Sequence, residues 1–199
     1  MNFHKLHRVL AGILGVFIVL HLTNHLALFW GVETHLRLQK ILRLVYRNPI
    51  IEPLLILGFV SQIFIGIRLL IKRGWPKKAW ARLQTISGAI LALFLLQHIS
   101  AALFTRISKP DIDTNIYWAA SVVSRLEFAL YFAPYYTLGL FALFLHIATF
   151  LVIRKRKASL AVGIAILGGV FSIALVSTLS GGFFEIELPQ KYEIYLDEF

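Results

Sequence analysis

The sequence predicts an all-α integral membrane protein, a five-helix transmembrane bundle forming a single domain over residues 1–199. Three observations carry this. Of 199 residues, 58% are hydrophobic and only 15% charged, whereas about a quarter of the residues in soluble domains are charged. The apolar residues fall in five runs, about 8–30, 50–72, 83–107, 126–153 and 159–181. At about 1.5 Å per residue each run crosses a hydrocarbon core of about 30 Å. Finally, no alternating ten-residue barrel pattern is present and no open sheet satisfies its backbone in lipid, so the runs are helices.

The first run, RVLAGILGVFIVLHLTNHLALFW from Arg8 to Trp30, is too long for a signal-peptide core and lacks a small-residue cleavage site, so it is read as a span. After it, Thr34 to Arg47 places Leu38, Ile41, Leu42 and Val45 on one helical face and cations on the other, the pattern of a helix lying in the membrane interface. The second run opens in RNPIIEPLL, with Glu52 at its start and Arg47 just before. The third is RLQTISGAILALFLLQHISAALFTR, Arg82 to Arg106; its SGAILALFLLQH echoes AGILGVFIVLHL of the first, about one residue out of register. The fourth has two possible starts, because Ile116 to Val123 is also apolar and Pro134 either bends or begins the helix. The fifth is uninterrupted, and the tail GFFEIELPQKYEIYLDEF reads as a short extended or amphipathic cap.

Charge gives the orientation. The net charge of +10 does not point to nucleic acid, because the basic residues sit in short loops between apolar runs. The N-terminus and the loops at 73–82 and 154–158 carry eleven Lys and Arg and no acid. The opposite side carries seven in its loops and tail, with eight of the ten acids, and the other two, Glu52 and Glu127, stand at the starts of spans on that same side. By the positive-inside rule the N-terminus is cytoplasmic and the C-terminus external, in a bacterial inner membrane. The acid-free basic side suits both a soluble docking partner and anionic membrane lipid. There is no cysteine, so thiolate metal sites and cysteine-ligated clusters are excluded within this chain, and histidine is the remaining strong ligand.

An ionisable residue inside a span is costly and marks a functional site with a partner elsewhere. His21 lies nine residues inside Trp30 and His98 eight inside Arg106, about 12–14 Å from the same membrane face. The first and third spans run parallel, so the two imidazoles share a depth, as a bis-histidine haem requires. His25, one turn further out, either replaces His21 or contacts a propionate or quinone. The alternative is that these histidines are simply hydrogen-bonded to Ser, Thr or backbone groups. His146 lies near the opposite face, beside Tyr135, Gly139 and Ala142. Gly58, Gln62 and Gly66 on the second span form a matching small-residue groove with Gln62 opposite His146. That groove suits close helix packing or a porphyrin, but an amide is a poor haem ligand, and Gln62 is expected to hydrogen-bond His146. His4 and His7 are read as too near the surface to join His146. One haem is therefore expected, with a second left open. Glu52 is either a solvated helix-start acid or a proton-transferring carboxylate at a quinone site, with Arg47 beside it. Arg68 snorkels to the inner face or pairs with a propionate.

The segments HRVLAG and HLTNHLALF, RLQTISGAILALFLLQH and LFALFLHIATF, with the spacing of all five spans, resemble the five-helix, diheme-type cytochrome b membrane anchors of succinate dehydrogenases and fumarate reductases. The resemblance covers most of the chain. It implies haem b at His21 and His98, an inner haem position at Gln62 and His146, and menaquinol chemistry near Glu52. It also implies flavoprotein and iron–sulphur partner subunits on the cytoplasmic side and exchange of electrons with quinone. Gln62 departs from the family's inner ligand. Two other classes compete: a haem-free structural anchor or assembly subunit, and a small transporter, against which no clear inverted repeat is found.

Overall fold

The computed structural model describes residues 2–198, and every regular element among them is helical. The helices are α1 (Phe3–Ala27), α2 (Val32–Tyr46), α3 (Ile51–Arg73), α4 (Ala79–Ser108), α5 (Ile116–Ser124), α6 (Leu126–Lys155), α7 (Ala158–Leu179) and α8 (Gln190–Leu196). Helices α1, α3, α4, α6 and α7 are long and apolar enough to cross a membrane, so the chain is a multi-pass membrane protein.

The ends of these helices follow local chemistry. α1 starts five residues before the apolar run because Asn2 caps it, its side chain accepting from the Lys5 N–H at 3.2 Å. A short 3-10 turn, Leu28–Trp30, carries α1 to Gly31. Gly31 has φ of 111°, where an L side chain is strained, and this corner swings the chain into α2. The apolar stretch before the fourth span is a helix of its own. Asn115 caps α5 by accepting from the Tyr117 N–H at 3.0 Å, and extended backbone at Arg125 separates α5 from α6. Pro134 lies inside α6 and does not begin it. The tail forms α8, with Tyr192, Tyr195 and Leu196 buried.

Well-covered apolar packing is concentrated at one end. There Leu28, Ile116, Ala120, Val123, Leu175, Leu179, Tyr192 and Leu196 make a common core beneath α2, α5 and α8. Through the membrane-spanning part the closely packed helix pairs are α1 with α3, α3 with α4, α4 with α6 and α6 with α7. α1 and α4 are not such a pair, and they approach through side chains. α4 buries only 6% of its apolar window, against 28% for α7. Its uncovered surface therefore needs lipid or a bound group against it.

α2 is the amphipathic helix the sequence predicts, and the structure shows which of its residues turn inward. His35 and Gln39 are buried, whereas Ile41 is 62% and Val45 52% exposed. The stripe headed by His35 and Gln39 faces the bundle, while Ile41, Leu44 and Val45 face outward beside Arg37 and Lys40, and Leu38 and Leu42 are half-buried. An interfacial helix beside other helices has lipid on its outer side, so its apolar face serves lipid while its polar face finds protein partners.

Candidate functional site

α1 supplies His21 and His25, α4 supplies His98, and α2 supplies His35. These four imidazoles form one cluster at the half of the bundle nearer α2. The His21 and His98 ring centroids are 6.3 Å apart, at an interplanar angle of 68°. Metal–imidazole bonds are about 2 Å and the nitrogen lies about 1 Å from its ring centre, so two imidazoles on opposite sides of one metal have centroids roughly 6 Å apart. The separation would allow both imidazoles to hold one group between them once their ring nitrogens turn toward it; here His21 Nε2 meets His25 Nε2 at 3.2 Å. Both rings remain only partly covered, on helices that are not a closely packed pair.

The surroundings of the two rings repeat. Phe17 stacks on His21 at 5.5 Å and 16°, and Phe94 stacks on His98 at 5.2 Å and 18°, each phenylalanine one turn before its histidine. The two segments are therefore equivalent without the one-residue offset suggested by the sequence echo: GILGVFIVLH matches AILALFLLQH residue for residue. Phe94 is fixed further by Gly139 of α6, where any Cβ would overlap its ring, and by Tyr135, whose hydroxyl donates to the Phe94 carbonyl at 3.1 Å.

His25 Nε2 is 3.2 Å from His21 Nε2, and its ring is 5.8 Å from that of His35. His25 thus sits between His21 and the α2 corner. His35 was not singled out in the sequence, although it heads the stripe His35, Gln39, Arg43 and Tyr46 at helical spacing. It is 1% exposed and pairs with Asn24, itself 2% exposed, at 3.0 Å. Burial, with the nearby His21 and Arg43, pushes the His35 pKa down to about 4, so its imidazole is neutral at pH 7.

The quinone-site candidates are tied into ion pairs. Glu52 takes a two-pronged contact from the Arg106 guanidinium. Arg47 donates to Thr114 Oγ1 at 2.9 Å and lies 3.6 Å from Asp113. Arg43 donates to Asp113 at 2.7 Å and to the Thr114 carbonyl at 3.1 Å. Burial alone would raise the Asp113 pKa, but the Arg43 hydrogen bond and the charges of Arg43, Arg47 and Lys191 hold it below the ordinary carboxylate value. Arg68 does not meet the histidine cluster; its guanidinium lies 4.2 Å from the Phe3 ring centre at the basic end.

At that basic end the expected pairing of Gln62 with His146 is not found. Gln62 Nε2 is 3.4 Å from His7 Nε2, and His146 Nδ1 is 3.2 Å from Ser87 Oγ on α4. The Ser87 hydroxyl lies 3.2 Å from the Gln84 carbonyl, to which it donates, so it accepts from His146 Nδ1–H. The face made by Gly58 and Gly66 packs against Leu14 and His7 of α1, not against α6. Depth along a helix does not specify rotation about it, and it is rotation that turns α3 toward α1. His7, expected to lie too near the surface, is the residue that reaches this groove. Among the described residues no three His, Asp or Glu side chains converge on one metal position.

Comparison with protein-family models, curated proteins and solved structures gives no match.

Proposed function

We propose that this chain is a haem b-binding membrane anchor that passes electrons between a quinone pool and a cytoplasmic flavoprotein and iron–sulphur partner, in a complex resembling succinate dehydrogenase or fumarate reductase. The observation that carries the reading is the His21–His98 pair, 6.3 Å between ring centres and flanked by equivalent phenylalanine stacks. Haem b held there supplies one-electron redox chemistry within the membrane. His21 and His98 would hold it through two neutral imidazole nitrogens, one from each facing helix. Phe17 and Phe94 fix the ring planes, and Gly139 leaves the Phe94 ring its space. His25 Nε2 meets His21 Nε2 at 3.2 Å, and His25 would turn away where that nitrogen holds a cofactor. The excess of basic residues at the N-terminal side makes that side cytoplasmic, in a bacterial inner membrane, with the C-terminus external. Dicarboxylate chemistry belongs to the partner chains.

The visible spectrum of the purified protein tests this. A reduced-minus-oxidised b-type band is expected, abolished by His98→Ala and by His21→Ala and weakened less by His25→Ala. Full haem retention in all three variants rejects the site. A reporter after Phe199 is expected to read external; a cytoplasmic signal there reverses the orientation.

One observation favours a second reading, a haem-free anchor or assembly subunit. The hydrogen bonds His21–His25, Gln62–His7 and Ser87–His146 give these histidines partners within the chain. Absence of a b-type band from freshly isolated membranes selects it.

A further inference from the structure

Asn24 and His35 are 2% and 1% exposed at the corner between α1 and α2, yet each keeps hydrogen-bonding capacity that no described residue meets. If the Asn24 amide donates to His35 Nε2, His35 carries its proton on Nδ1. That N–H then lacks an acceptor, and Asn24 Oδ1 lacks a donor; both atoms are buried and unpartnered. Turning the amide over exchanges the roles but still leaves one unmet donor and one unmet acceptor. His25 Nδ1, on the neighbouring ring, is buried and unpartnered as well. Buried polar groups in native proteins are met by a partner, so this corner is built to receive one.

The chemistry of the partner follows from the unmet pair. A carboxylate, such as a haem propionate, only accepts and would leave the acceptor unmet. A hydroxyl donates and accepts, and meets both. The His25 ring lies 5.8 Å from His35, and the corner adjoins the interfacial helix α2 on one side and His21, through His25, on the other. Glu52 and Arg47, by contrast, spend their charges on Arg106, Asp113 and Thr114. We infer that Asn24 and His35, with His25 beside them, bind the hydroxyl of a quinol headgroup next to the His21–His98 pair. This rests on the reading that the chain exchanges electrons with quinone, and it moves that exchange from Glu52 to the α1–α2 corner.

Menadiol, a soluble naphthoquinol, is the probe, with binding to the full-length protein measured by anaerobic equilibrium dialysis. Menadiol is expected to bind the wild type, and Asn24→Leu and His35→Leu each to weaken it about tenfold or more. His35→Gln, which keeps a donor and an acceptor, restores part of the loss, and Leu44→Ala, on the outward face of α2, changes nothing. In the wild type and in His35→Gln saturating menadiol raises the unfolding midpoint; in His35→Leu it does not, which separates lost binding from lost folding. No binding to the wild type overturns the inference, since a buried water then meets the two atoms. So does full binding in both leucine variants. A missing b-type band with intact menadiol binding rejects the haem site and supports the quinol site, whereas an intact band without menadiol binding does the reverse.

Discussion

Gly139 decides where the Phe94 ring goes. A Cβ at this position would overlap that ring, and the ring in turn stacks on His98. Gly139→Ala therefore forces Phe94 out of its rotamer or moves α6 away from α4. Overpacking of this kind costs about 1–3 kcal/mol. The expected result is a lower unfolding midpoint together with an altered b-type spectrum. Gly163→Ala in α7, where the added methyl meets open space, serves as a near-neutral comparison. If Gly139→Ala leaves both midpoint and spectrum unchanged, Phe94 does not orient His98. The sequence marks Gly139 as small space in a helix face, but it assigns that space to the surroundings of His146. A side chain from another helix takes it instead, and a one-dimensional pattern carries no information about which neighbour arrives.

The α2 helix shows the same limit one level up. Its amphipathic pattern is legible, since hydrophobic periodicity is a local property. Which face turns inward depends on what lies outside, and with lipid outside the stripe headed by His35 turns in. The anchor for this arrangement is Asp113, gripped by Arg43 and Arg47 from α2 while Tyr192 of α8 donates to its carbonyl at 2.9 Å. Its folded pKa is depressed below the ordinary carboxylate value. The stabilisation it provides is therefore fully present above that ordinary value, near pH 4, and is lost as pH falls through the lower folded value. Protease cleavage in the α2 and 109–115 segments is expected to increase under acid in the wild type. Asp113→Asn should show raised cleavage at neutral pH, with this acid dependence reduced. Equal cleavage of the two proteins at pH 7 would show that other contacts hold α2.

Across the whole molecule, the five spans are legible because burial in lipid constrains length and composition directly. The depth match of His21 and His98 is legible for the same reason: two parallel spans share a ruler. The partners of Gln62 and His146 are not, because they depend on helix rotation and on α1 packing into the Gly58–Gly66 face. That packing bears on haem count. At the His21–His98 position two facing helices stay apart. At the basic end Leu14 and His7 fill the α3 groove, Gln62 engages His7, and Ser87 engages His146. A second porphyrin would need α1 to withdraw from α3 and two hydrogen bonds to break. One haem per chain is therefore expected, by pyridine haemochrome against protein mass, and it should survive His146→Ala but not His98→Ala. A ratio near two, lowered to one by both His7→Ala and His146→Ala, would overturn this and identify His7 as the missing ligand. Among the described residues His7 is the histidine that hydrogen-bonds Gln62, so the pair of variants decides between a filled groove and a second site.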